Sequence, residues 1–173
     1  MMAPCIGLVG LGLVGCALGR RLRAAGFAVL GRDIRPEAMQ AFEAQGGQTC
    51  NDWNAMVQAT DTLVLAVFDT AGVEDVAARI IQARSAHGAS SRPMRFIDCS
   101  TGDPDRLAAL APQLALQSIS LVEAPLSGSS AQIERGEATL LYAGDRMAID
   151  AVAPVLQALS PVRFHVGDTG MAA

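Results

Sequence analysis

Apolar and polar positions follow two rhythms along this chain. Residues 5–9, 62–68, 94–98, 121–124 and 138–143 are runs dominated by aliphatic residues. Between them lie longer segments in which apolar residues recur every three or four positions. A short continuous apolar run reads as a strand covered on both faces, and the longer rhythm as a helix with one covered face. Taken in order, the pattern predicts a strand at 5–9, a helix at 13–25 stopped by Gly26, and a second strand closing on Asp33. A helix at 36–44 opens on Pro36, and Gly46 and Gly47 end it before a short strand at 48–50. Asn51 or Asp52 caps a helix through Val57, and 62–68 is the clearest buried strand. A helix at 71–83, a polar loop at 85–92, a strand at 94–98 and a turn at 99–104 follow. Asp103 and Pro104 there open a helix to about Gln117. The remainder reads as a strand at 121–124, a long polar glycine loop at 125–136, a strand at 138–143, and a turn and cap at Gly144 and Asp145. A helix at 147–159 and a last strand at 162–166 complete it.

Strands alternating with helices of this length build right-handed βαβ units. The expected fold is α/β, a doubly wound, mainly parallel sheet with helices on both faces in three layers. Composition agrees: 51% of the 173 residues are hydrophobic and only 4% aromatic, so the core is aliphatic, as a covered parallel sheet requires. A formal charge of −4 argues against a nucleic-acid backbone as partner. Arg20, Arg21 and Arg23 form the one basic cluster and read as a solvated helix face. Residues 1–19 carry no charge, but the cations follow the apolar run instead of preceding it, and Gly7, Gly10, Gly12, Gly15 and Gly19 interrupt it. No stretch approaches a membrane span, so a cytoplasmic protein is expected. Cys5, Cys16, Cys50 and Cys99 lack metal-like or disulfide-like spacing and read as small buried residues, with no metal site.

Candidate chemistry concentrates at the first strand–helix junction. Gly10, Gly12 and Gly15 form G-x-G-x-x-G between a predicted strand and a predicted helix, the setting in which that motif signals a dinucleotide site. The first glycine permits the turn, the second lets backbone approach a pyrophosphate, and the third lets helix lie close on strand. The helix amino end then holds the phosphates. Asp33 follows Gly12 by 21 residues (33 − 12), the separation expected of an acid that binds the adenosine ribose. Its charge favours NAD by repelling a 2′-phosphate, while the flanking Arg32 and Arg35 leave NADP open.

Ligands in such sheets bind beyond the carboxyl ends of the strands. Three further segments leave that edge: 68–70, 100–102 and 125–129, all rich in small hydroxyl residues and backbone amides. Serine, glycine and aspartate also dominate turns and caps. Capping is the reading for Asp103 and Asp145; for Ser100, Ser127 and Gly128 both readings stay open on spacing alone.

Four motifs then stand together in one order: the glycine turn at 7–15, Asp98-Cys-Ser-Thr-Gly-Asp-Pro104, Glu123-Ala-Pro-Leu-Ser-Gly-Ser129 with Gly136 behind it, and Gly144-Asp145. They resemble the β-hydroxyacid dehydrogenases, the family of 3-hydroxyisobutyrate dehydrogenase and, more distantly, 6-phosphogluconate dehydrogenase. The resemblance implies that Gly10, Leu11, Gly12, Leu13, Val14 and Gly15 carry the dinucleotide. It places Asp33, Ile34 and Arg35 at the ribose, with Val67, Phe68 and Asp69 packed along the cofactor. It puts Ser100 and Thr101 near nicotinamide and substrate, and Ser100, Ser127, Gly128 and Ser129 around the substrate carboxylate. Ile34 stands where an NADP-reading arginine would, which favours NAD. Ser129 replaces a second glycine, which narrows the substrate pocket.

The same resemblance implies a small-molecule hydroxyacid substrate, a homo-oligomeric full-length enzyme, and an all-helical second domain whose first helix bears the catalytic lysine. Residues 1–163 then form the cofactor domain, and 164–173 begin a hinge. None of the residues is a lysine, so that catalytic group is expected beyond Ala173. His87 in a loop and His165 in a strand are not obvious replacements. Two other functions stay open: a nucleotide-binding module without catalysis, and a relative of imine-reductase type.

Overall fold

The computed structural model describes residues 5–86 and 92–173. Strand β1 (Cys5–Val9) leads into helix α1 (Leu13–Ala24), then β2 (Ala28–Arg32), α2 (Pro36–Ala44), β3 (Gln48–Thr49), α3 (Trp53–Ala59) and β4 (Thr62–Leu65). Next come α4 (Thr70–Ala86), β5 (Met94–Asp98), α5 (Pro104–Ala115) and β6 (Ile119–Glu123). The chain continues through β7 (Leu126–Ser127), α6 (Ser130–Arg135), β8 (Thr139–Gly144), α7 (Arg146–Leu159) and β9 (Arg163–Gly167). The sheet order is β3-β2-β1-β4-β5-β6-β8-β7, with β9 also paired to β8. Strands β1 to β6 pair in parallel, β8 runs antiparallel to β6 and β7, and β9 runs parallel to β8. The expected doubly wound, mainly parallel sheet is the fold observed.

The two-residue period of a strand explains how aliphatic runs serve both faces. Val64, Ile97 and Val122 join Ile6 and Leu8 beneath α1, α2, α6 and α7. Their neighbours Leu63, Leu65, Phe96 and Leu121 face α3, α4 and α5. Phe42 fills space that three glycines leave free. A Cβ at Gly19, Gly31 or Gly47 would lie 2.8, 3.0 or 2.3 Å from its ring.

Several expectations are corrected. The strand expected at 62–68 ends at Leu65, because its neighbour β1 turns away at Gly10; residues 66–68 leave the sheet and Phe68 is 94% exposed. Helix α4 runs to Ala86, into the expected loop, while His87 lies outside the described residues. The loop expected at 125–136 contains β7 and α6. Ser129 and Gln132 form a reciprocal capping box, and Gly136 closes the helix with φ +74°. The three arginines of α1 are not a solvated face: Arg21 donates to the Ala158 and Leu159 carbonyls, Arg20 pairs with Glu134, and Arg23 lies over Phe42. Long stems let them reach neighbouring elements. Of the cysteines only Cys99 is fully buried; Cys5, Cys16 and Cys50 are half-buried, and all four are free thiols. The last strand extends to Gly167. Among the described residues, no helix is long and apolar enough to cross a membrane.

Phe42 is fully buried against those glycines. Phe42→Ala is therefore expected to cost about 3–5 kcal/mol of unfolding free energy. Urea denaturation measures this, and a loss under about 1 kcal/mol would show that the surrounding helices collapse into the space.

Candidate cofactor site

Strand β1 has β2 on one side and β4 on the other, so the chain winds away from it in both directions. That reversal opens a crevice at the carboxyl ends of β1 and β4. The glycine turn lies across it. Gly10 has φ +94°, and a Cβ there would stand 2.2 Å from the Ala66 carbonyl oxygen. At Gly15 it would lie 1.8 Å from the Gly10 carbonyl oxygen, so α1 touches the turn backbone to backbone. Gly12 differs. Its backbone is extended (φ −73°, ψ −166°), and the one atom near an added Cβ is Arg35 Nη2 at 3.9 Å. The fold needs glycine at 10 and 15 and has no use for it at 12. The free space is useful to a ligand that approaches the backbone.

Gly12 is also the N-cap of α1, with no side-chain cap and no acid in the first turn. The helix thus presents uncapped amides and its positive dipole end to the crevice, an anion site. Asp33, just past β2, has a side chain only 6% exposed. Its Oδ2 accepts from the Leu11 amide at 2.7 Å, and its Oδ1 accepts from the Arg35 amide at 2.9 Å and Nε at 3.1 Å. Burial alone would raise its pKa. The Arg35 guanidinium and the two amides outweigh burial and hold the carboxyl below the ordinary range. Asp33 is therefore an anion near neutral pH that anchors the glycine turn to the end of β2.

The cleft has a volume of about 630 Å³. Of the residues expected to hold cofactor, Gly10, Gly12, Leu13, Val14, Gly15, Asp33, Ile34, Arg35, Val67, Phe68, Ser100 and Thr101 line it. Ile34 and Phe68 are 91% and 94% exposed, large apolar groups left open at its walls. Two expected residues lie elsewhere. Leu11 is buried in the core and contributes only its amide, to Asp33. Asp69 caps α4, its Oδ1 accepting from the Gly72 amide at 2.9 Å. Ser127, Gly128 and Ser129 do not line the cleft either. Ser127 is exposed in β7, Gly128 approaches Ala138, and the Ser129 side chain is engaged in the α6 cap. A larger depression of about 720 Å³ lies against Arg20, Phe27, Pro154 and Gln157. It receives no loop from the carboxyl ends of the parallel strands and none of the candidate residues, so volume alone does not mark the site.

Sequence reasoning weighed Arg32 as a flank of Asp33 but missed Trp53, Gly72, Asp75 and Cys99; all five line the cleft. The Arg32 guanidinium stacks 4.3 Å from the centre of the Trp53 ring. Those two residues are 21 positions apart (53 − 32), and no local pattern joins them. Gly72 and Asp75 lie in the first turns of α4, which the strand–helix alternation placed at this edge. His165 stacks on Tyr142 and shares a 3.0 Å hydrogen bond with the Gly167 carbonyl, as a structural histidine does. Among the described residues no cluster of His, Cys, Asp or Glu is arranged to hold a metal ion.

Behind the cleft, Asp98 Oδ1 accepts from the Ser100 amide at 2.9 Å, and Ser100 Oγ accepts from the Val67 amide at 3.1 Å. Ser100 thus ties the loop after β4 to the loop after β5. Asp98 is 1% exposed and its Oδ2 has no hydrogen-bond partner. Burial pushes its carboxyl up to about 6, helped by the Glu123 charge, while hydrogen bonding from Ser100 works in the opposite direction.

This glycine turn, helix amino end and terminal acid at a topological switch define a Rossmann-type dinucleotide-binding domain. The chain belongs to the family described as the NAD binding domain of 6-phosphogluconate dehydrogenase, whose model matches residues 5–167. L-threonate dehydrogenase of Cupriavidus necator is 30% identical over 166 residues, covering 96% of this chain and 55% of that protein. The 2-(hydroxymethyl)glutarate dehydrogenase of Eubacterium barkeri is 28% identical over 165 residues, 95% of this chain and 54% of that one. The structure of Mycobacterium tuberculosis 3-hydroxyisobutyrate dehydrogenase with L-serine has the same fold, with a TM-score of 0.88 at 23% identity. It covers 99% of this chain and 57% of that one. The chain spans about half the length of the curated relatives it matches.

Two expected outcomes follow from the site's geometry. Gly12→Val is expected to keep the wild-type urea midpoint, whereas Gly15→Val is expected to unfold the domain; equal losses would refute the division between ligand glycine and packing glycine. For Asp98, the folded pKa of about 6 lies above the ordinary 3.8. Its contribution to stability is fully present below about pH 4 and is lost as pH rises through 6, at most about 3 kcal/mol. Stability of Asp98→Asn measured against pH should lack that decline relative to wild type, and parallel curves would place the titration elsewhere.

Proposed function

We propose that this NAD-binding domain is the cofactor half of an oxidoreductase that moves hydride between a nicotinamide cofactor and a short 3-hydroxyacid or its semialdehyde. The observation that carries the reading is the open backbone at Gly12, in a turn whose other two glycines are explained by packing. The dehydrogenase relatives support the reaction class. Bound in the cleft, the nicotinamide supplies the redox chemistry. The chain's own residues bind and orient. The amino end of α1 receives the pyrophosphate, Asp33 the ribose hydroxyls, and Val67 and Phe68 the apolar flank. For the ribose to reach Asp33, Arg35 must yield part of its hold on the carboxylate; its side chain is 54% exposed. Because Arg35 neutralises that carboxylate, a 2′-phosphate meets little net repulsion, so NADP binds as a weaker second cofactor.

On the substrate side, Thr101 stands exposed at the cleft, and Ser100 beside it is held by Asp98 and Val67. With Ser127, Gly128 and Ser129 on the adjoining loop they form the carboxylate-binding edge, and residues after Gly167 begin the hinge. The proton that accompanies hydride transfer is handled by a lysine outside these 173 residues. By the family resemblance the complete enzyme is a homo-oligomer.

Trp53 is the sole tryptophan and lines the cleft, so its emission serves as a site-specific probe. Titration with NAD(H) is expected to quench it at lower concentration than NADP(H). Gly12→Val is expected to weaken NAD binding by at least about 100-fold, some 2.7 kcal/mol. Unchanged affinity in Gly12→Val would sink the pose. Robust hydride transfer by the 173-residue chain would sink the assignment of the proton step to an external lysine.

A further inference from the structure

Glu123 is the last residue of β6 and is 1% exposed. A carboxylate in such a place is costly unless hydrogen-bonded. Its donors come from 47 to 50 residues away: Gly170 N–H donates to Oε1, and Ala172 and Ala173 N–H donate to Oε2 at 3.0 and 3.2 Å. Three backbone amides of one short segment thus converge on one buried anion. The segment is pressed from a second side as well. A Cβ at Gly170, where φ is +95°, would stand 3.4 Å from both the Pro104 carbonyl oxygen and the Ala108 Cβ in α5. Met171 N–H closes a turn onto the Asp168 carbonyl. Glu123 is also the register partner of Asp98, which holds the Ser100 amide at the cofactor cleft.

We infer that Glu123 is a positioning residue for residues 170–173, holding them through backbone amides beside the first turns of α5. Backbone recognition makes the contact independent of the side chains at 172 and 173, both alanine. The two carboxylate oxygens set the direction as well as the position of the segment, because each accepts from a different part of it. The path of residues 170–173 is therefore tied, through the Glu123–Asp98 register pair, to the strand ends behind the cofactor cleft. The segment behaves as a stapled joint, not a free tether.

The test is amide exchange by NMR on the 173-residue chain, comparing wild type with Glu123→Gln. Glutamine keeps size and one acceptor oxygen but turns an N–H donor toward the other amides. Exchange at Gly170, or at Ala172 and Ala173, is expected to rise about tenfold or more. Leu8 and Val64 in the central strands are expected to stay within about twofold. The Ala172 and Ala173 amide protons should also move upfield on losing a charged acceptor. Affinity for NAD should stay within about twofold, since Glu123 does not touch the cleft; this separates failure of the staple from failure of the cofactor reading. Unchanged exchange at 170–173 would overturn the inference. Uniform acceleration across the sheet would overturn it too, by making Glu123 a residue of general stability.

Discussion

The domain depends on one close approach: the backbone of α1 at Gly15 against the carbonyl of Gly10. With a Cβ at either glycine the helix cannot sit where it does. Once it does, its amino end faces the carboxyl ends of β1 and β4, and its uncapped amides present the positive end of the helix dipole to that edge. The sheet order adds the crevice in which that surface is useful. Asp33 completes the constraint by accepting the Leu11 amide, which ties the turn to the end of β2. Residues that look like ligand contacts in a motif are thus first members of a rigid joint.

The same economy governs the acids at this edge. Asp33, Asp69, Asp98 and Glu123 all lie at or just beyond carboxyl ends of strands; Asp33 and Glu123 take up backbone amides of distant segments, Asp69 and Asp98 those of the residues just after them. A carboxylate accepts several hydrogen bonds, so one buried acid can bind a loop whose own amides have no sheet partner. Where the acceptor capacity is well filled, as at Asp33, the group is held ionised. Where one oxygen is unmatched, as at Asp98, burial prevails and the proton is held more tightly. Polar residues clustered at a cleft do not by that fact belong to its chemistry.

That distinction explains what was legible in the sequence. Strands β1, β4 and β5 were readable because two covered faces demand uninterrupted aliphatic runs, and the glycine turn because its spacing follows from backbone contact. The site acid was readable at Asp33 because one crossover fixes its distance from the turn. Asp69 could not be told apart in the sequence as cap or ligand contact, because both present the same residue at the same strand end; its carboxylate accepts the Gly72 amide. Helix α6 was hidden by a segment whose serines and glycine read as loop, although Ser129, Gln132 and Gly136 carry its caps. Arg32 over Trp53, and the arginines of α1 reaching α6 and α7, depend on contacts between distant elements that no local periodicity encodes.

A separation of labour follows from how the polar groups are used. The proposed cofactor site is built mainly from backbone: two packing glycines, one open glycine, helix amides and an acid that is itself backbone-bound. Such a site needs little from side-chain variety, which is why motif spacing describes it well. The hydroxyls of the neighbouring loops are differently placed. Ser100 and Ser129 already hold loops together, whereas Thr101 and Ser127 stand exposed. Apart from two histidines, every basic side chain is one of 13 arginines, a group too strongly basic to donate and retake a proton near neutrality. The cleft thus rests on backbone and packing, while the hydroxyls of Ser100 and Ser129 are committed to holding loops together.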